Sequence, residues 1–324
     1  MGSAEPAYHQ DTNYTLLRAN LDAAKHAAAE YPISFVLVLG DTLGHNYRLF
    51  YRKYTGDKSQ AGFEGFTRKA LEFINGELKR AFPDTSVFMV VGNNDTYSRN
   101  YQSVAGGAFF RDAAALWSQL VVNAQSRSDM RREFADAGYY AVDVPGHPSL
   151  RLIVLNSVLF SRHSVWKNAQ EAATRQLNWL AREMKRANQQ NQKVIIALHI
   201  PSALDVYATR RWHWFTLTQF WRTGYLDRFK QELADYYPQV TAIFAGHLHY
   251  DWNQSLTVGS NRVIPVIGVP AISPIFGSDP SFKIYHFSLD DSSVDDYYTY
   301  YYPLSGMGTW GVEHAYNFFF KEQR

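Results

Sequence analysis

The hydrophobic pattern of this chain alternates between two kinds of segment. Short apolar runs, mostly of β-branched residues, predict buried strands, because a strand covered on both faces shows no polar alternation. Longer stretches with apolar residues three and four positions apart predict amphipathic helices. The predicted strands are residues 35–39, 87–91, 139–144, 152–155, 194–198, 241–245, 263–269, 282–287 and 296–301. The predicted helices are residues 13–29, 62–82 and 169–187, most of 111–132 and 215–237, and the tail 309–319.

Strands that alternate with helices, followed by a strand-rich end, indicate a layered α/β fold. A chain of 324 residues suits one large domain or two ordinary ones. No repeat, low-complexity tract or linker interrupts the pattern. We therefore expect a single domain over residues 1–324, with a tail at 1–10 and a C-terminal extension at 303–324. The opening Met-Gly-Ser is typical of an expression remnant that replaces a native N-terminal segment.

Composition narrows the possible classes of function. Hydrophobic residues make up 46% and charged residues 19%, which is enough apolar surface for a sizeable core. The net charge is +2 with Lys and Arg scattered, so no basic stripe for nucleic acid is present. The chain has no cysteine, which excludes a disulfide scaffold and thiolate metal ligands. No apolar run reaches the ~18 residues of a transmembrane segment, and no signal peptide is visible.

Polar motifs follow several of the predicted strands. They are Gly40-Asp41, Gly92-Asn93-Asn94-Asp95, the single His199, and Gly246-His247-Leu248-His249. Taken singly, an Asp after Gly is usually a turn residue, and a lone histidine is usually a hydrogen-bonded core residue. Carboxylate oxygen, amide oxygen and imidazole nitrogen are the ligands of divalent metals. Four such motifs in series, each at a strand end, favour a metal-dependent phosphoesterase.

Each motif suits a particular role in a site with two metals. Two metals about 3.5–4 Å apart can clamp a phosphate and activate water, and a carboxylate such as Asp41 is the natural bridge between them. Asn93 offers a neutral oxygen ligand. The imidazole ligands are His199, His247 and His249. If the Gly-His-Leu-His backbone is extended, its two histidines point the same way and reach one site.

With these motifs the chain resembles the calcineurin-like metallophosphoesterases, and within them the acid-sphingomyelinase-like branch that includes endopolyphosphatases. Further matching stretches are residues 40–46, 138–140, 156–160, 199–201, 268–274 and 279–282. The resemblance extends over residues 11–316. It implies an α/β fold in which two β-sheets pack as a sandwich flanked by helices. It also implies a phosphodiesterase that uses a metal-bound hydroxide to attack phosphorus, in a secreted or periplasmic location.

The resemblance also implies a set of metal ligands. Asp41 would bridge two divalent metals, with zinc as the first candidate and manganese or iron as alternatives. Asn93, His199 and His247 would complete one metal site, and His249 would ligate the other.

The family's opening Asp-x-His motif, with its strand, has no counterpart before Gly40. One metal site would then keep only Asp41 and His249. Three explanations remain: a missing N-terminal segment, a separate cleaved chain that stays bound, or a degenerate homologue that binds one metal or none. The alternative to an enzyme is therefore a non-catalytic or truncated homologue that binds phosphate ligands or a partner.

A second departure concerns proton transfer. Asn94 stands where the family has a histidine that contacts the phosphate or assists the leaving group. An amide donates hydrogen bonds but transfers no proton near neutral pH. His45 or His213 is then the candidate acid. His45, with Asn46, would lie near the phosphate or orient a metal ligand, although a polar loop residue explains His45 equally well.

Candidate substrate-binding residues lie between the metal-ligand motifs. In Arg210, Arg211 and Trp212, the arginines would meet phosphate oxygens and the indole a base or acyl group. A surface loop with a buried Trp explains the same residues equally well. Tyr97 and Arg99 are further candidates. The substrate is a phosphate ester, and a phospholipid head group such as that of sphingomyelin, a nucleotide and polyphosphate all remain open.

Overall fold

The computed structural model describes residues 5–164, 168–205, 208–209, 217–288, 293–306 and 309–316. The helices in these ranges are α1 Tyr14–Glu30, α2 Tyr47–Thr55, α3 Gln60–Ala81, α4 Ala108–Trp117, α5 Ala124–Ala137, α6 Ala169–Gln189 and α7 Thr223–Asp235. The strands are β1 Phe35–Val38, β2 Ser86–Met89, β3 Tyr140–Val144, β4 His147–Leu155, β5 Lys193–Leu198, β6 Val240–Ala245, β7 Trp252–Val258, β8 Arg262–Gly268, β9 Ser281–Phe287, β10 Val294–Tyr301 and β11 Gly311–Tyr316.

The largest sheet has six strands in the order β3-β4-β5-β6-β8-β7. Its inner strands β4, β5, β6 and β8 are parallel, and its outer strands are antiparallel to their neighbours. Leu198 at the end of β5 pairs with Ala245 at the end of β6. The two histidine motifs that follow these strands therefore leave the sheet side by side, at the edge where α/β proteins bind ligands.

The remaining strands form two smaller sheets. β1 and β2 are parallel, with Val38 opposite Met89, so the two loops that follow them also emerge together. β9, β10 and β11 form an antiparallel sheet. All residues of β2 are buried, whereas all four residues of β1 are only half-buried. Among the described residues, β1 pairs with β2 alone and leaves its other edge without a strand.

The six-stranded sheet lies between two hydrophobic layers. Side chains of a strand alternate between its faces, and β5 shows this directly. Val194, Ile196 and Leu198 pack in one cluster with α6 and α7, whereas Ile195 and Ala197 pack in another with β1 and β2. The second cluster also contains residues of α3, α4 and α5. An α/β fold with several sheets and flanking helices agrees with the layered pattern of the sequence and with the fold that the family resemblance implies.

The structure corrects several predicted elements. The prediction of a helical tail was wrong, because Gly311–Tyr316 pairs as a strand with β10, and such pairing overrides local propensity. The segment 111–132 is split between α4 and α5 by a 3-10 turn at Ser118–Leu120. The helix predicted at 215–237 begins only at Thr223. Helix α2 and strand β7 are additional elements that the hydrophobic pattern did not predict.

Candidate metal centre

The position of Asp41 depends on two glycines at the ends of β1 and β2. Gly40 has φ +93° and Asp41 has φ +54°, so the chain turns sharply just beyond β1. A Cβ on Gly40 would lie 2.7 Å from the amide nitrogen of Gly92, and a Cβ on Gly92 would collide with the amide and carboxylate of Asp41. The two loops therefore approach each other as closely as their backbones permit.

Asn94 and His199 hold the carboxylate of Asp41 in place. Its Oδ1 accepts the backbone N–H of Asn94 at 2.8 Å, and its Oδ2 accepts the Asn94 amide at 2.8 Å. Oδ2 also lies 3.3 Å from Nε2 of His199. Burial alone would raise the pKa of Asp41, but the adjacent His199 and the N–H of Asn94 lower it to about 2. The carboxylate is therefore charged at neutral pH.

His199 is oriented by a backbone carbonyl. Its Nδ1 donates to the carbonyl of Leu39 at 2.7 Å, since that oxygen can only accept. In the neutral ring, Nε2 then carries the lone pair, as in metal-binding histidines whose other nitrogen is hydrogen-bonded. Burial lowers the pKa of His199, but Asp41 and the Leu39 carbonyl outweigh it and raise that pKa above its usual value. Nε2 of His199 and the carboxylate of Asp41 therefore lie side by side beyond the ends of β5 and β1.

The amide of Asn93 is fixed from its nitrogen side. Its Nδ2 donates to Oδ1 of Asn100 at 2.9 Å, which turns its Oδ1 toward Nε2 of His199 at 3.1 Å. The backbone N–H of Tyr101 donates to the carbonyl of Asn93 at 2.9 Å and holds the loop. The hydrogen bonds therefore turn the amide oxygen, the atom that would ligate a metal, toward the site.

The two histidines after β6 reach the site by a different backbone from the one predicted. His247 has φ +72° and His249 has φ +64°, so the segment is not extended and the expected strand-like alternation was wrong. The N–H of Leu248 donates to the carbonyl of Gly246 at 2.9 Å, which is a tight turn. Ligand atoms of His247, His199 and Asp41 all lie within 4.8 Å of one another.

His249 lies beside that group. Its side chain is buried, and its Nδ1 has no hydrogen-bond partner among the residues that the structure describes. Burial and the neighbouring His45 lower the pKa of His249 to about 4, and burial and His199 lower that of His247 to about 3. Both rings are neutral at pH 7 and offer lone pairs. A buried nitrogen without a partner requires an explanation, and a metal ligand is one that fits the surrounding donors.

His45 is held by Asp11, a residue from the loop before α1. The Asp11 carboxylate accepts the N–H of His45 at 2.8 Å and lies 3.1 Å from its Nδ1. This hydrogen bond raises the pKa of His45 against the effect of burial. The ring lies 5.5 Å from that of His249, measured between centroids. The sequence pattern does not predict the contact between Asp11 and His45, because Asp11 does not follow a predicted strand.

Asp95 ties the two ligand-bearing loops together. Its carboxylate accepts the N–H of Leu43 at 3.0 Å and the N–H of Gly92 at 2.9 Å. Burial, and then the charge of Asp41, raise the pKa of Asp95 to about 6. Both carboxylate oxygens already accept backbone N–H groups, so Asp95 fixes the two loops and is not a candidate metal ligand.

The structure does not bring every predicted site residue to this cluster. The ring of Tyr97 is buried against Phe109, and its hydroxyl donates to Asp112 at 2.7 Å. Arg99 is exposed beyond the loop. The remaining candidates Arg210, Arg211, Trp212 and His213 lie outside the described residues.

Several known proteins are similar to this chain in sequence, and one solved structure is similar in fold. The calcineurin-like phosphoesterase family profile matches residues 9–251. The chain is 22% identical to cyclic GMP-AMP phosphodiesterase SMPDL3A of Rattus norvegicus, over 94% of this chain and 66% of that protein. It is 25% identical to sphingomyelinase phosphodiesterase D of Dictyostelium discoideum, over 82% of this chain and 58% of that protein. The chain thus spans less than two thirds of the length of these relatives.

A solved structure supports the fold independently. A dimetal phosphatase from Danio rerio superposes with a TM-score of 0.52 at 15% identity, over 89% of this chain and 82% of that chain. No helix within the described ranges is long and apolar enough to cross a membrane. The family profile covers most of the chain and all five candidate metal ligands, Asp41, Asn93, His199, His247 and His249. The chain belongs to the calcineurin-like phosphoesterase family.

Proposed function

We propose that this protein is a metal-dependent phosphodiesterase. The observation that carries the proposal is the convergence of a carboxylate, an amide oxygen and imidazole nitrogens from four separate strand ends. The buried Nδ1 of His249, which no described residue hydrogen-bonds, adds a ligand atom beside them. Divalent metals are held by this donor set.

Asp41, Asn93, His199, His247 and His249 would hold the metals. When bound, a divalent metal polarises the phosphoryl oxygen and lowers the pKa of water. Zinc is our first candidate because imidazole predominates in this ligand set, with manganese and iron as alternatives. A second metal depends on ligands beyond Asp41 and His249, and a separate N-terminal segment is one possible source.

We assign proton transfer to His45. Because its Nδ1 is bound to Asp11, its Nε2 is left to hold or donate a proton. The side-chain nitrogen of Asn94 is already committed to Asp41, so Asn94 orients that carboxylate and can donate only its remaining hydrogen to a phosphate oxygen. His213 remains the alternative acid.

The substrate class follows from the relatives. Those reported above are named cyclic GMP-AMP phosphodiesterase and sphingomyelinase phosphodiesterase D. A phosphodiester is common to both names, and we carry over that bond. A nucleotide, a phospholipid head group and polyphosphate are the candidate substrates. Secretion or a periplasmic location is proposed from the resemblance alone.

The test is hydrolysis of bis(p-nitrophenyl) phosphate by protein stripped of metal and reloaded with Zn²⁺ or Mn²⁺. Asp41→Ala and His247→Ala should each lower the hydrolysis rate by more than about 100-fold. Removing a residue that only orients a metal ligand costs up to about that factor, and these two residues are proposed ligands. His26→Ala, on the exposed face of α1, is the matched control and should retain activity. Wild-type rates in either site variant, or turnover without metal, would refute the proposal.

A second candidate function is metal-poor binding of phosphate ligands without turnover. Two observations favour it: among the described His, Asp and Glu side chains only Asp41, His199 and His247 have ligand atoms within 4.8 Å of one another, and Asn94 replaces a proton-transferring histidine. Elemental mass spectrometry of protein incubated with Zn²⁺ separates the candidates. About two metals per chain, as expected for the family, supports the enzyme. One or none, together with phosphate binding and no turnover, supports the alternative.

A further inference from the structure

Tyr101 adopts a backbone conformation that bulky residues rarely take. Its φ is +63°, in the left-handed region. The hydrogen bond from its N–H to the carbonyl of the metal-ligand candidate Asn93 holds it there. Such conformations persist where the surrounding structure enforces them, and they concentrate at functional sites. The strain places a half-buried phenol ring directly beside the candidate metal ligands.

Tyr101 is part of a group of rings around His247. Its centroid lies 5.1 Å from that of His163 and 6.4 Å from that of His247. Phe220 approaches His247 from another side at 5.5 Å, edge to face. We call Tyr101, His163 and Phe220 the aromatic wall. Its members come from three separate loops, so the rings meet only in the folded chain.

Arg162 anchors the segment that carries His163. Its guanidinium forms an ion pair with Asp205 at 2.8 Å, and its backbone N–H donates to the carbonyl of Phe220 at 3.1 Å. The Tyr101 hydroxyl stays neutral, because burial, followed by the charges of Asp41 and Asp205, raises its pKa to about 12.

We infer that the aromatic wall binds a nucleobase-like ring on one arm of the phosphodiester. This inference rests on the proposed function and specifies its substrate class. A flat heterocycle stacks on an aromatic side chain. A quaternary ammonium arm would instead bind the same rings through cation–π contact, and the test below includes it. A polyphosphate chain has no ring to stack.

Calorimetric titration of the Zn²⁺-loaded full chain with two monoesters tests the inference. Adenosine 5′-monophosphate carries the ring, and sn-glycerol 3-phosphate carries the phosphate without it. Base stacking predicts that the first ligand binds at least about fivefold more tightly. Tyr101→Leu should remove that difference by raising the Kd of the adenosine ligand alone. Tyr101→Phe should preserve it, because the ring face is retained.

A second variant keeps the test valid if Tyr101→Leu does not fold. His163 is exposed, so His163→Leu should fold while still weakening the adenosine ligand selectively. Equal Kd values for the two ligands in the wild type, or equal weakening of both in the variants, would overturn the inference. Tighter binding of phosphocholine than of the adenosine ligand would also overturn it, in favour of a cation site. Because binding needs no turnover, these results are independent of the activity test above.

Discussion

Asp41 can occupy its position only because residue 92 is a glycine, whose hydrogen leaves room where a Cβ would collide. Gly92→Ala would put a methyl group into the amide and carboxylate of Asp41, so we expect loss of zinc binding and of phosphodiesterase activity. Chelator-competition titration measures the affinity. Gly65→Ala in α3 is the control: its Cβ meets nothing within 4 Å, and removing a helical glycine should stabilise by about 0.5–1 kcal/mol. Normal zinc affinity in Gly92→Ala would contradict this account.

Asn100 acts on the metal centre through the orientation of Asn93. Asn100→Ala removes the acceptor of the Asn93 Nδ2, so that amide can turn its nitrogen toward the metal position. We expect about 10- to 100-fold weaker zinc binding, the usual effect of losing a residue that orients a ligand. Asn100→Asp keeps an acceptor and should bind nearly normally. If Asn100→Ala and wild type bind zinc equally, Asn93 is oriented by other contacts.

The residues found from sequence and those missed differ in one respect. Asp41, Asn93 and His199 could be predicted because each directly follows an apolar run, so local pattern and position in the fold coincide. Asp11 could not, because its contact with His45 joins positions that no periodicity relates. Tyr101 was missed for a related reason, since its importance comes from a backbone conformation that its residue type does not announce.

At the scale of elements, Glu77 of α3 connects two helices. Its carboxylate accepts from Arg80 at 2.5 Å and from Arg18 of α1 at 3.1 Å. These contacts, Arg80 first, lower the pKa of Glu77 below its usual 4.5. A carboxyl whose pKa is lower in the folded state stabilises the fold above the unfolded-state pKa, and this contribution is lost as pH falls through the folded-state value.

Glu77→Gln should therefore destabilise the protein by about 1 kcal/mol at pH 7, because the partner arginines are partly exposed and their attraction is screened. The difference from wild type should shrink toward zero below about pH 4. Denaturant unfolding at the two pH values measures it. Glu72→Gln, on an exposed position of the same helix, should have little effect at either pH. A deficit that persists in acid would mean that packing, and not charge, is lost.

Most strands were predictable because buried parallel strands read as continuous apolar runs. The last strand was not, since Gly311–Tyr316 owes its conformation to pairing with β10, which the local sequence does not encode. The same limit applies to the histidine motif after β6. Its residue spacing suggested an extended backbone, but a tight turn with positive φ at both histidines delivers the rings.

On the scale of the whole molecule, the candidate metal ligands come from two different sheets. Asp41 and Asn93 follow the β1–β2 pair, whereas the three histidines follow strands of the six-stranded sheet. Metal binding should therefore hold the two sheets together and stabilise the folded chain. At a free zinc concentration 100 times the Kd, the gain is about 2.7 kcal/mol. Calorimetry should show a higher Tm with zinc for wild type and no rise for His247→Ala.

Strand β1 has one edge that pairs with no other strand in the described part of the chain. An edge strand that carries no charge or proline lacks the features that normally prevent another chain from pairing with it. Any strand that paired in parallel with this edge would end near Asp41, because β1 leads through Leu39 and Gly40 into that residue. Association at this edge and occupancy of the metal centre would then be one linked equilibrium.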